Sequence, residues 1–212
     1  MDESASNSGS AYAYFGPVAE DALAYSAWDA RVMGSDEVDG LGRDIQVLTD
    51  LDGDGIAEVL LSTDTGWSPD LDDGLGAVLI YSGSAFEGSL GESDADVRID
   101  GVEPGAQFGH QSVIASDADG DGAEEIIISA YGTTRADGST SGAIYGLPEV
   151  WTPGTRSADD ADARVVFGEA SGVLGYSMVL GDVGADGTER LLIADVGWDQ
   201  VWVLEPSELF PD

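Results

Sequence analysis

The sequence predicts an all-β protein assembled from repeated four-stranded units, the pattern of a partial β-propeller. Two observations carry that expectation. One stretch recurs three times in register: "LGRDIQVLTDLDGDGIAEVLLSTDTG" from Leu41, "FGHQSVIASDADGDGAEEIIISAYGT" from Phe108 and "LGYSMVLGDVGADGTERLLIADVGWD" from Leu174. The apolar runs within and behind these copies are short, β-branched and bounded by Gly, Asp and Ser, which is strand patterning, and no helix-period stretch of useful length appears. The copies start 67 and 66 residues apart, a spacing that suits one sheet per repeat.

Each copy opens with an aliphatic or aromatic residue and Gly, followed by an apolar run, an Asp/Gly loop and a second apolar run. A third strand follows in "GAVLIYSG" (76–83), "GAIYGLP" (142–148) and "QVWVLEP" (200–206). Behind the first two lies a more polar fourth, "ADVRIDG" (95–101) and "DARVVFG" (162–168). The N-terminal part fits as a third strand, "GSAYAYFGP" (9–17), and a fourth, "WDARVMG" (28–34). The organisation expected is therefore a linker over 1–8, the end of a preceding blade over 9–40, blades over 41–107 and 108–173, and a partial blade over 174–212. Propellers close with about four to eight blades, whereas this chain holds material for about three. A piece of a longer propeller is expected, needing further blades or self-association to close the ring, because open blade edges attract pairing.

Composition narrows the partners. The 212 residues carry 42 acids against 7 basic residues, a formal charge of −35. Binding phosphates requires basic residues that displace counterions, so nucleic acid is excluded as a partner. Multivalent cations or a screening salt are the natural complement. No apolar run reaches the length of a membrane span, so no membrane insertion is expected. The absence of cysteine removes disulfides, thiolate metal sites and cysteine nucleophiles. The first residues lack the basic start and apolar centre of a signal peptide, which fits either a cytoplasmic protein or a segment of a longer secreted chain.

The loops hold the chemistry. In "DLDGDGIAE", Asp50, Asp52 and Asp54 occupy positions 1, 3 and 5, Ile56 offers a carbonyl at 7, and Glu58 returns a carboxylate at 9. Asp117, Asp119, Asp121, Ala123 and Glu125 repeat this residue by residue. Several hard oxygen ligands on a flexible loop suit Ca2+, whereas Mg2+ prefers a stricter octahedron. Two calcium sites are expected. An EF-hand needs a Glu at position 12 and flanking helices, but that position holds Leu61, Ile128 or Ile193, each in a strand pattern. In the third loop only Asp182 and Asp186 remain as weak ligands; Gly184 removes position 3, and Arg190 brings a guanidinium to position 9. There a fixed cation is expected to replace part of the ion.

These features resemble the FG-GAP repeat, the blade unit of integrin α-subunit propellers and of many secreted bacterial proteins. Phe108-Gly109 matches the FG element, with Leu41-Gly42 and Leu174-Gly175 as conservative variants, and residues 50–58 and 117–125 match the calcium loops. The GAP element departs, reading "STD" (62–64), "SAY" (129–131) and "ADV" (194–196). The resemblance covers nearly the whole chain beyond residue 9. It implies calcium between the first and second strands of a blade, an extracellular or cell-surface setting, and adhesion or recognition of a protein or glycan ligand.

No enzyme is expected. His110 is the one histidine and follows the FG element, where a structural role is expected; no G-x-S-x-G elbow accompanies it. Trp67, Trp151 and Trp198 fall in or near inter-strand loops, positions for edge packing or for stacking on a sugar or partner. The alternative to a non-catalytic recognition module is a scaffold segment of a larger secreted enzyme acting on polysaccharide.

Overall fold

A computed structural model describes residues 8–16, 28–34, 40–63, 74–166 and 172–210. The predicted alternation becomes fifteen strands among these residues: β1 (Ser10–Ala13), β2 (Ala30–Met33), β3 (Leu41–Val47), β4 (Val59–Thr63), β5 (Ala77–Tyr81), β6 (Gly88–Gly91), β7 (Val97–Asp100), β8 (Phe108–Ser116), β9 (Glu124–Ala130), β10 (Ala143–Leu147), β11 (Gly154–Ser157), β12 (Ala163–Val165), β13 (Leu174–Gly181), β14 (Arg190–Asp195) and β15 (Gln200–Leu204). The helical elements among the described residues are short 3-10 turns, and no helix among these residues is long and apolar enough to cross a membrane.

The strands form four sheets, none closed on itself, in the orders β1-β2-β6, β11-β7-β5-β4-β3, β12-β10-β9-β8 and β13-β14-β15. Within each repeat the expected antiparallel meander is present. The expectation of four strands per unit needs one correction. After the third strand of two repeats, a short segment crosses back and pairs in parallel with the outer strand of the preceding sheet: β6 on β2, and β11 on β7. Both segments are Gly-, Ser- or Thr-rich (GSLG and GTRS) and lack the apolar alternation that marks a strand. Each satisfies an otherwise open edge.

Three apolar layers join the sheets face to face. Leu41, Leu61 and Leu79 meet Ala11, Ala30 and Val32 in the first. Leu60, Val78, Ile80 and Ile99 meet Phe108, Ile128 and Tyr145 in the second. Ile127 and Ile144 meet Leu174, Met178, Ile193 and Phe210 in the third. Phe108 and Tyr145 make an edge-to-face pair with ring centroids 5.4 Å apart, a geometry favoured by the aromatic quadrupole.

The repeated glycines have two structural reasons. Gly42, Gly109 and Gly175 all adopt φ between 85° and 89°, and each sits at a register shift in the first strand, the position of a β-bulge. Gly9, Gly76 and Gly142 precede the third strands at φ of 78°, 75° and 71°, pressed against the next repeat. A Cβ there would stand 2.4, 2.0 and 2.2 Å from the carbonyl oxygens of Leu41, Phe108 and Leu174. Glycine is the residue that lets those backbones meet.

Side chains also tie neighbouring first strands. Asp44 Oδ2 accepts from the Ser112 amide at 2.8 Å and from its hydroxyl at 2.6 Å. Gln111 Oε1 accepts from the Met178 amide at 2.7 Å. These ties fix the β3–β8 and β8–β13 registers, and with them the spacing of the three loops that follow.

Candidate metal centre

The first loop connects β3 to β4 and is folded by its own carboxylates. Asp50 accepts from the amides of Gly53 (2.8 Å) and Gly55 (2.9 Å). Asp52 accepts from Asp54 N at 2.9 Å, and Asp54 from Ile56 N at 2.8 Å. Glu58, at the start of the strand, accepts from Leu51 N at 2.5 Å through Oε2. The amides thus fix the orientation of each acid, Asp50 through both of its oxygens and the others through one. Asp50, Asp52, Asp54 and Glu58 each bring one oxygen within 4.8 Å of all the others.

That grouping is unstable by itself. Like charges about 4 Å apart repel by about 4 kcal/mol per pair at an effective dielectric near 20. Glu58 sharpens the point, because its side chain has 0% exposure and its Oε1 has no hydrogen-bond partner. Burial, followed by the charges of Asp52, Asp50 and Asp54, raises its pKa above the ordinary carboxylate value. A buried acceptor without a donor is costly, and a cation in the loop would satisfy it. The convergent donors are four carboxylates of hard oxygen, so the residues present fit a metal ion.

The second loop, between β8 and β9, repeats the device. Asp117 accepts from Gly122 N (2.7 Å), Asp119 from Asp121 N (3.0 Å) and Asp121 from Ala123 N (2.7 Å). Glu125 accepts from Ala118 N at 2.5 Å, and its Oε1 is again buried without a partner. Burial, then Asp119, Asp121 and Asp117, raises its pKa. The convergent group here is Asp117, Asp119 and Asp121, and Glu125 stands just outside it. Each of the two acidic groups could hold a metal ion.

The third loop keeps the fold and loses the charge. Asp182 accepts from Asp186 N (3.1 Å) and from Gly187 N (2.8 Å), the second bond matching those of Asp50 and Asp117 to the amide five residues on. Arg190 enters from β14 and donates to both oxygens of Asp186, at 3.1 and 2.7 Å. That pairing, with the Thr188 amide, lowers the Asp186 pKa to about 2. A Cβ on Gly184 would stand 2.6 Å from Arg190 Nη1. The missing side chain at position 3 and the guanidinium from position 9 therefore occupy one space.

Other residues singled out from the sequence lie elsewhere. His110 is buried at the start of β8, bonded to Arg43, with its ring against Tyr131 and Tyr176. Trp151 is half-buried against the central apolar layer, Trp198 is exposed, and Trp67 lies outside the described residues. Three contributors escaped the sequence reading. Ser82, after β5, donates to Asp52 Oδ2 at 3.2 Å; it is thirty residues away and carries no local signal. Asp44 and Gln111 do carry one, since each stands three residues after the opening Leu41 or Phe108.

Between the first and second loops lies a crevice of about 350 Å³ lined by Thr49, Asp50, Glu124, Glu149 and Trp151. A second, about 500 Å³, separates the second and third loops and is lined by Asp117, Glu189 and Glu205. Neither lining includes a basic residue. Compared with known proteins, the chain matches no protein-family model and no curated sequence.

Proposed function

We propose that this chain is a calcium-stabilised, non-catalytic recognition module whose sheets are successive blades of an FG-GAP-type β-propeller working outside the cell. The observation that carries the reading is the buried, unpartnered oxygen of Glu58, repeated at Glu125, each beside three aspartates on one loop. Two independent repeats place the same orphan acceptor at the same site. A divalent cation satisfies both and removes the carboxylate repulsion. Calcium is preferred because the loop offers many oxygens on an adaptable backbone.

The blade reading is supported by the repeated meander, by the face-to-face apolar layers and by the three loops standing at one end of consecutive first strands. Crevices between neighbouring loops give a protein or glycan ligand its place, with bound calcium offsetting the acidic walls. The setting follows from affinity: loops of this kind with dissociation constants of roughly 0.1–1 mM need about millimolar calcium, which the extracellular medium supplies.

A calcium titration of thermal unfolding, followed by tryptophan fluorescence at fixed high salt, tests the reading. Each occupied loop should add about 0.4–1.4 kcal/mol at about 1 mM calcium, with the gain reversed by EDTA and absent in magnesium. An equal response to magnesium, or none to calcium, removes the calcium claim and the extracellular setting built on it.

A further inference from the structure

The two acidic loops share the pattern D-x-D-G-D-G-x-x-E and differ in how completely the folded chain assembles them. In the first, Asp50, Asp52, Asp54 and Glu58 already converge. Asp50 is clamped through both oxygens by the Gly53 and Gly55 amides. From outside the loop, the Ser82 hydroxyl holds Asp52 Oδ2 at 3.2 Å. In the second loop only Asp117, Asp119 and Asp121 converge. Asp117 is held through Oδ1 by the Gly122 amide and enters the loop at φ 52°, a left-handed conformation uncommon outside glycine.

Strand register shows why the second loop lacks the hydroxyl. Val59 pairs with Tyr81 and Ile126 with Leu147, so the residue after β5, Ser82, has Pro148 as its counterpart after β10. Proline carries no donor, and Asp119 is oriented by the Asp121 amide. Glu125 stays outside the convergent group, 1% exposed and with its Oε1 unpartnered. Calcium affinity rises with the number of charged ligands and with the rigidity of the site. A site that must be ordered on binding also gives up affinity to one already ordered by folding. Both effects favour the first loop.

Glu124 connects this difference to the crevice between the loops. Its carboxylate accepts from Thr49 Oγ1 at 2.9 Å, beside Asp50, and its carbonyl accepts from the Val150 amide at 2.9 Å. Thr49, Glu124, Val150 and Trp151 all line that crevice. A movement that brings Glu125 onto the three aspartates therefore pulls on both of its walls.

We propose that the two loops fill in order and with different consequences. The first is a tight site that holds its repeat together. The second is a weaker site whose closure by Glu125 reshapes the crevice. The inference rests on the calcium reading of the loops and adds regulation to it: once the first loop is full, calcium concentration grades the surface that the crevice offers to a ligand.

Titration calorimetry with calcium chloride and tryptophan fluorescence, both on the full chain at fixed high salt, test the proposal. The wild-type chain should take up calcium in two steps, the first about tenfold tighter, with the fluorescence change concentrated in the second. Asp52→Ala should remove the tight step and keep the weak one, and Asp119→Ala should do the reverse. Ser82→Ala should weaken the tight step about threefold. Pro148→Ser, which places a hydroxyl after β10 as Ser82 does after β5, should strengthen the weak step by about the same factor. Trp151→Phe should abolish the fluorescence change of the second step and leave both binding steps in place. Melting curves in EDTA that match wild type would show that the variants fold. Two steps of equal affinity, a tight step lost in Asp119→Ala instead of Asp52→Ala, or a second step silent at Trp151 would overturn the proposal and leave calcium in the loops. A wild-type chain that takes up no calcium would remove the calcium reading itself, and this inference with it.

Discussion

The loops at Asp50–Glu58 and Asp182–Arg190 start from one backbone template and balance its charge in opposite ways. Both fold through an opening aspartate that accepts from the amide five residues on. In the first, four carboxylates converge and one buried oxygen is left without a donor. In the third, Arg190 supplies the cation from within the chain and Gly184 makes room for it. The first loop gathers acids that could hold a metal ion, and the third encodes its cation as Arg190. The strands on either side are indifferent to which.

The contrast between repeats has its largest expected consequence at the glycine seats. Gly76→Ala puts a Cβ 2.0 Å from the Phe108 carbonyl at positive φ, and a loss on the order of 3 kcal/mol is expected in denaturant unfolding. Asp199→Gly, at the same place in the third repeat, should change stability by no more than about 0.5 kcal/mol. Equal effects at the two positions would mean the seat is not what holds the repeats together.

Calcium gives the next effect. Asp52→Ala and Asp119→Ala should each remove one loop's increment of about 0.4–1.4 kcal/mol at about 1 mM calcium, whereas Asp186→Ala should leave the calcium response intact. A response that survives the double change at Asp52 and Asp119 would locate the ion elsewhere. The comparison can also be inverted: Gly184→Asp with Arg190→Glu should raise calcium stoichiometry from two to three by titration calorimetry. Gly184→Asp alone should not, because the guanidinium still fills the space.

The smallest effects are in pH, and their signs differ between the loops. In EDTA, Glu58 and Glu125 have raised pKa values in the folded state, so the folded chain holds protons that the unfolded chain releases. Their contribution therefore falls as pH rises from the ordinary carboxylate range through the folded values. Asp186 is lowered from 3.8 to about 2; its contribution is present above the ordinary value and is lost as pH falls through that interval. Acid titration of the Arg190→Gln variant should lack this second component, and a profile identical to wild type would show that the pair contributes nothing.

Much of the fold was legible because its signals are local. Alternating β-branched runs gave the strands, and Asp and Gly at fixed offsets gave loops that close through their own amides. The degenerate third loop was readable as well, since Arg190 and Gly184 lie within the same nine residues. The parallel segments β6 and β11 were not readable, because GSLG and GTRS carry no face of their own and are strands only through the edge they cover.

The sequence by itself determined the repeat, the strands of each antiparallel meander and which loops carry surplus acid, since each depends on residues a few positions apart. Only the tertiary structure decided which carboxylate oxygens are left unpaired and which glycines bear a neighbouring backbone. Those properties depend on residues far apart in sequence, as Gly76 meets Phe108 and Gln111 meets Met178 in the next repeat. A chain pattern fixes what each residue can do, but the cost of a buried charge depends on what stands opposite it.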